Sequence, residues 1–299
     1  MVTLAKTRKF KVWSPMTGGN SSSITPPVNR TTASAVVVGG RKVTVSDLAR
    51  VAVLMYNVTL DVSSIEKIDA DLAMSKTKVE SMIPELISVA QNENAIYDIS
   101  FCRAAVFARV VSLIQGRSGV RSEILECLVE MLDANVIPNF SSPALAGLEL
   151  CAALTASGAS CSIGGVIMSS ASAFALGGIE PIALTAAEVS TIKRGQFFST
   201  GCTCLIASGA ANLGLITDCV SALSCDTFGV NVEPFDAVHF DTCRQHRGQI
   251  ASATNLRLLL EGSKRTLATT VSSISADLAF ASTPQVHGPA HESTTSTVK

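Results

Sequence analysis

The chain has 299 residues, enough for a sizeable core in one or two domains, and its 23 basic and 24 acidic residues leave a net charge of −1. That balance excludes a global field for nucleic acid or acidic lipid, and one Trp with two Tyr excludes a base-stacking surface. At 47% hydrophobic and 16% charged, the composition implies extensive burial, self-association or a membrane.

Residues 1–42 carry Lys6, Arg8, Lys9, Lys11, Arg30, Arg41 and Lys42 but no acid, the first being Asp47. This basic, hydroxylated composition suits an organellar transit segment or a disordered basic arm. The expected location is cytoplasmic, or mitochondrial if that segment acts as an address. A strand over Arg41–Val45 is expected to begin the folded part, with Ser46-Asp47 capping a helix over Leu48–Tyr56. Val58–Leu60 reads as a short strand. Ile65–Val89 reads as a long amphipathic helix, with Ile65, Ile68, Leu72, Val79, Met82, Ile83 and Leu86 on one face.

From Ala104 onward the chain reads helical, with breaks at Gly116–Gly119, Pro138–Pro143 and Gly177–Pro181. Cys151–Ile179 and Phe197–Thr217 have no charged residue and enough length to span a bilayer. Both are diluted by Ser, Thr, Gly and Ala, which favours buried helices over a small membrane protein with two weak spans. The tail from Ser282 is rich in Ser, Thr, Pro and His and is expected to be disordered. The layout is therefore 1–42 basic segment, 43–115 α/β part, 116–281 central helices and 282–299 tail. Nine cysteines without framework spacing read as reduced thiols, and Cys202-Thr-Cys204 as two small apolar residues on a helix.

Two phrases are specific. Gly116-Arg-Ser-Gly-Val-Arg121 leads into Ile124–Asn135, and Val232-Glu-Pro-Phe-Asp236 leads into His246-Arg-Gly-Gln-Ile-Ala251. With Lys42–Ala49, Ala95-Ile-Tyr97-Asp-Ile-Ser-Phe101 and Gly178–Glu188, these make the segment from about residue 41 to 265 resemble the histidine and phenylalanine ammonia-lyases. The Glu-Pro-Phe-Asp phrase is closer to the histidine branch. The resemblance implies a mainly α, ammonia-lyase-like (fumarase/aspartase-like) helical bundle with a small α/β N-terminal part. It also implies a homo-oligomer, or a full-length ammonia-lyase-like partner.

The family's electrophile, methylideneimidazolone, forms when an Ala-Ser-Gly triad in a strained loop cyclises. Here the matching place reads Ser141-Ser-Pro-Ala-Leu-Ala-Gly-Leu-Glu-Leu150. One alignment puts Leu145-Ala146-Gly147 on the triad and the other Leu148-Glu149-Leu150, and neither supplies the serine. Ala156-Ser157-Gly158 lies downstream as an alternative source, although Ala207-Ser208-Gly209 repeats the triplet where the family has no such role. Tyr97 occupies the position of the family's catalytic tyrosine, a general base, with Asp98 beside it working against the phenolate.

Further departures accumulate. The segment between Phe101 and Gly116 is short and lacks the family's assisting histidine, and Lys193-Arg-Gly-Gln196 replaces an Asn-Gly-Thr-Gln phrase. The family's C-terminal tyrosine, arginine and glutamate are expected to have no counterpart. His239, His246, His287 and His291 are read as no zinc motif, and no Ser or Cys is tied to one, so no metal is expected. The favoured reading is an inactive family member with a structural or interaction role and no cofactor. The alternative is a working lyase using Ala156, Ser157, Gly158 and Tyr97.

Overall fold

The computed structural model describes residues 35–74, 95–115, 118–243, 245–267 and 274–298, which fall into two compact units, Met1–Leu205 and Ile206–Lys299. The first unit opens with β1 (Ala35–Val38), α1 (Val45–Ala52) and β2 (Asn57–Leu60), the two strands parallel and in register from Ala35–Asn57 to Val38–Leu60. This is the small α/β part. Its first strand is Ala35–Val38 rather than Arg41–Val45, so ordered structure reaches into the segment set aside as 1–42. The helix is capped two residues earlier than expected, at Thr44. The Thr44 hydroxyl accepts from Asp47 N at 3.2 Å and the Asp47 carboxylate accepts from Thr44 N at 3.1 Å, a reciprocal box that a Thr-x-x-Asp spacing supplies.

Next come α2 (Val62–Met74), α3 (Ile99–Gln115), α4 (Ser122–Asp133) and β3 (Val136–Pro138). The expected Ile65–Val89 helix is seen as α2; its continuation past Met74 lies outside the described residues. α3 is buried nearly all round from Cys102 to Phe107 and at Val110 and Leu113, which makes it the core of the unit. Asp133, at the end of α4, accepts from Val58 N at 3.0 Å and so ties β2 to the core.

Burial pushes the Asp133 carboxyl up to about 6, against the Val58 hydrogen bond and Arg103, which hold it down. A raised acid is a stability penalty once it ionises, so the native state loses stability as pH climbs from about 4 to 6. Asp133→Asn keeps an acceptor for Val58 and removes the charge. It is expected to raise stability at pH 7 by about 1 kcal/mol, and by less at pH 4, in urea titrations at both pH values.

α5 (Ala146–Leu154) is followed by β4 (Ser160–Ile163), β5 (Val166–Ser169), α6 (Ser170–Gly177) and α7 (Ala186–Lys193). β3, β4 and β5 form an antiparallel sheet, and Gly164 and Gly165 turn the β4–β5 hairpin with φ of +60° and +85°. The helical reading of this region is corrected accordingly. Cys151–Ile179 is a helix, a hairpin and a second helix, not a span.

α8 (Phe197–Phe228) passes from the first unit into the second. Gly201 lets it approach α3 closely, since a Cβ there would stand 2.7 Å from Ala105 N. α8 alone among the described helices has the length and composition to cross a membrane. The second unit adds α9 (Arg247–Leu260), α10 (Lys264–Leu267), α11 (Ile274–Ala281) and α12 (Thr283–Val298). The tail expected to be disordered from Ser282 is thus a helix, with Pro289 inside it. A small core of Ala222, Cys225, Val230, Phe235, Leu256 and Leu260 holds the unit, and Phe235 comes from the Glu-Pro-Phe-Asp phrase.

Candidate functional site

In the first unit the start of α3, the end of β3 and the start of α8 meet at an aromatic corner. Tyr97 lies edge-on to Phe198 with centroids 4.8 Å apart, Phe198 meets Phe140 at 5.4 Å, and Phe140 meets Phe197 at 6.3 Å. Arg109 of α3 stands 5.5 Å over the Phe197 ring. The Tyr97 position follows from its neighbour: Asp98 starts α3, its side chain accepting from Ser100 N at 2.8 Å and its carbonyl from Phe101 N at 3.0 Å. Asp98 thereby acts as a helix cap.

Phe140 runs directly into the segment where the family's triad belongs. Ser141 N donates to both carboxylate oxygens of Glu149, at 3.1 and 3.0 Å, and the Ser141 hydroxyl donates to the same group. Leu145 N and Ala146 N close back on the Ser142 carbonyl, so the stretch is a turn that leads straight into α5. No residue from 141 to 150 has a left-handed φ. Gly147 sits against α7, where a Cβ would fall 2.6 Å from Lys193 Cα. Both alignments of the triad, Leu145-Ala146-Gly147 and Leu148-Glu149-Leu150, therefore fall on the N-cap and body of an ordinary helix.

Ala156-Ser157-Gly158 lies at the other end of α5. Ser157 N bonds the Ala152 carbonyl at 2.9 Å and Ala156 N the Ala153 carbonyl at 3.0 Å, with Ala156 at φ +51°. That pattern is a left-handed helix stop, and Gly158 at φ +112° then turns the chain into β4. The Ser157 side chain is exposed and pairs with the Thr155 hydroxyl at 2.7 Å. A nine-residue helix, about 13 Å long, separates this turn from the Ser141–Glu149 end.

The electrostatics of the corner are those of buried, satisfied groups with one exception. Burial raises the Glu149 carboxyl, partly offset by the Ser141 bonds, and pushes Cys102 up to about 11 and Cys151 to about 12. These thiols stay protonated and inert at neutral pH. Arg109 is 6% exposed and donates to the Ser112 hydroxyl and the Thr191 carbonyl, while its Nε meets no acceptor. Burial lowers its pKa. Among the described residues no carboxylate pairs with it. The signal of Arg109 in the sequence is weak: it is one of two arginines, with Arg103, in a largely apolar helix. Cys202 and Cys204 are half-buried on α8, as their spacing suggested.

Two of the family phrases in the first unit meet nearby. Arg121 Nε donates to Glu188 Oε1 at 2.7 Å and its Nη2 to the Ala183 carbonyl at 2.8 Å, joining Gly116–Arg121 to Gly178–Glu188. Glu188 is also the third residue of α7 and closes a capping box with Thr185.

In the second unit, Asp218 of α8 is fully buried. It accepts from Ser252 Oγ at 2.7 Å and Asn255 Nδ2 at 2.8 Å, both on α9. His287 Nδ1 and His291 Nε2 of α12 lie 2.8 and 2.9 Å from its two oxygens. The cluster has no local signature, because the composition of the tail reads as irregular and its helix forms only through distant contacts. The four-residue separation of two histidines is the signal that a helix would have turned into a pair.

A comparison with protein families matches residues 86–299 to the aromatic amino acid lyase model, carrying the likeness through α12, past residue 265 where the motifs stop. Histidine ammonia-lyase 2 of Fusobacterium nucleatum is 33% identical over 227 residues, covering 73% of this chain and 44% of that protein. Histidine ammonia-lyase of Streptococcus sanguinis is 28% identical over 275 residues, covering 87% and 51%. The chain thus spans about half the length of the curated relatives it matches. Among solved structures, phenylalanine ammonia-lyase of Rhodosporidium toruloides aligns with a TM-score of 0.71 at 21% identity, over 89% of this chain and 46% of that one. Histidine ammonia-lyase of Trypanosoma cruzi aligns at 0.69 and 20%, over 87% and 54%. The mainly α, lyase-like fold is the one the motifs implied.

Proposed function

The chain belongs to the aromatic amino acid lyase family, and from that premise we propose that it is a non-catalytic, histidine ammonia-lyase-like member that works by assembling with copies of itself or with a full-length relative. The observation that carries the proposal is the Ser141–Leu150 segment. It joins β3 to α5 through a hydrogen-bonded turn that runs into the helix, with no serine at either aligned triad position and no left-handed backbone to cyclise. The corner around Tyr97 keeps an aromatic wall without an electrophile for it to serve. Lys193, exposed at the end of α7, replaces the family's contacting amide.

Assembly is supported by α8. Ile206, Leu213, Ile216, Val220 and Leu223 are all more than half exposed and recur at intervals of seven, three, four and three. That is the seam of a helix meant to pack against another helix. The nine free thiols suit a reducing compartment such as the cytoplasm. Leu213→Glu with Leu223→Glu is expected to turn an oligomer into a monomer by light scattering, with the helical circular dichroism retained. An unchanged mass would remove α8 from the interface.

A second reading, an active lyase, is favoured by one observation: left-handed Ala156 and Gly158 flank Ser157 in a tight turn. It would use Ala156-Ser157-Gly158 as the electrophile and Tyr97 as the base. Histidine-dependent ammonia release that is lost in Ser157→Ala would establish it.

A further inference from the structure

We propose that the turn Lys193–Gln196, with Arg109 beneath it and the start of α8 behind it, binds a phosphate dianion, free or as a phosphate monoester. The site begins with a buried cation that lacks a counter-charge. Arg109 is 6% exposed, no carboxylate pairs with it among the described residues, and its Nε meets no acceptor. Its guanidinium is aimed at the turn. Nη2 donates to the Thr191 carbonyl, the group stands 5.5 Å from the Phe197 ring, and a Cβ on Gly195 would lie 4.0 Å from Nη1. Apart from the chain neighbours of Gly195, no other atom would come within that distance, so the turn opens onto that nitrogen.

Further positive charge surrounds the same turn. Lys193 and Arg194 are exposed on it, and neither pairs with an acid among the described residues. The Thr191 carbonyl at the end of α7 is already served by Arg109 and by Arg194 N at 3.1 Å, which leaves both exposed side chains for a ligand. Burial raises the Cys151 thiol, and the two charges that oppose it are Arg109 and Lys193, which sets both cations around one point of α5. Behind the turn, Thr200 N closes the first bond of α8 onto the Gln196 carbonyl at 2.9 Å. The N–H groups of Phe197, Phe198 and Ser199 therefore head a 32-residue helix at its positive end, without intrahelical acceptors. The acids of the flanking helices are committed elsewhere, Glu188 of α7 to Arg121 and Glu149 of α5 to Ser141. A carboxylate brings one charge and two oxygens. A phosphate monoester brings close to two charges and three acceptor oxygens, which match a guanidinium, a lysine and a helix end together.

The test is calorimetric titration of the full chain with inorganic phosphate, glycerol phosphate and acetate. One equivalent of phosphate or of the monoester is expected per chain, with acetate about tenfold weaker. The tighter of the first two identifies the source, free phosphate or a phosphorylated metabolite. Lys193→Asn is expected to weaken binding about tenfold, and Lys193→Asn with Arg194→Gln about a hundredfold. Both positions are exposed, so these variants keep the fold. In amide spectra the signals of Gly195 to Ser199 should shift on adding phosphate, a readout on the wild type that needs no variant of buried Arg109. Absence of heat and of shifts with phosphate, acetate binding as tight as phosphate, or undiminished binding in the double variant would overturn the site. The assembly reading would survive that loss, since light scattering on the α8 variants decides it.

Discussion

Replacing Gly248 by alanine is expected to unseat α12 from α9. The two helices cross at backbone contact. A Cβ on Gly248 would lie inside the van der Waals envelope of the Gly288 carbonyl oxygen and 2.8 Å from its carbon. A Cβ on Gly288 would in turn fall 2.8 Å from Gln249 N. These neighbours are backbone, so no rotamer relieves the clash and the helices must separate. Separation also strains the bond from Gly248 N to Glu292 Oε1, 2.9 Å long, and the Asp218 clasp on the same helix. The expected cost is about 3 kcal/mol or more for either glycine. Hydrogen exchange would then show α12 protection lost while the amides of α3 and α4 in the first unit keep theirs. Equal loss in both units would mean that the crossing is not what holds α12.

The second large effect is at Arg121. Its guanidinium reaches the Glu188 carboxylate at 2.7 Å, and the Glu188 side chain is only 5% exposed. Burial raises the Glu188 carboxyl, but the Arg121 hydrogen bond, the Thr185 backbone bond and the charge of Arg121 outweigh it and hold it below its ordinary value. Removing the arginine therefore strands a buried anion. Arg121→Met is expected to cost about 3 kcal/mol at pH 7. Glu188→Gln, which keeps an acceptor for Arg121 and Thr185, is expected to cost about half as much. The sign with pH follows from the depressed carboxyl. Its contribution is complete above about 4.5, the unfolded value, and disappears as pH falls through the lower folded value. Urea titrations of wild type and Arg121→Met should therefore differ most at neutral pH and converge in acid. A gap that stays constant to pH 3 would contradict the ion pair as the source.

How much of this was legible in the sequence depended on whether local or distant residues decided the structure. Arg121 and Glu188 each sit in a family phrase, and their meeting follows from that resemblance. The shift of the first helix cap to Thr44 was there to read, because Thr44-x-x-Asp47 is a local signal. So was the β4–β5 hairpin, where Gly164-Gly165 separates two short runs of Ser, Cys, Ile, Met and Val, within a stretch whose Ala and Ser content otherwise reads as helix. α12 is different. Its Ser, Thr, His and internal Pro289 disfavour a helix locally, and what holds it is contact with α9 and α8 through Gly288, Glu292, His287 and His291. Buried Asp218 was invisible for the same reason, since its four partners lie 34 to 73 residues away in the chain. The absence of a serine at 145–147 and 148–150 could be read directly. That the segment folds as helix, with Ser141 tied to Glu149, required the structure.

The central claim, that this family member builds no electrophile, is tested most directly by the intact mass of the purified full chain, followed by peptide mapping across residues 141–158. The account predicts the mass encoded by the sequence, with unmodified peptides over both Ser141–Leu150 and Ala156-Ser157-Gly158. A deficit of two waters mapped to residues 156–158 would contradict it and make this chain a lyase.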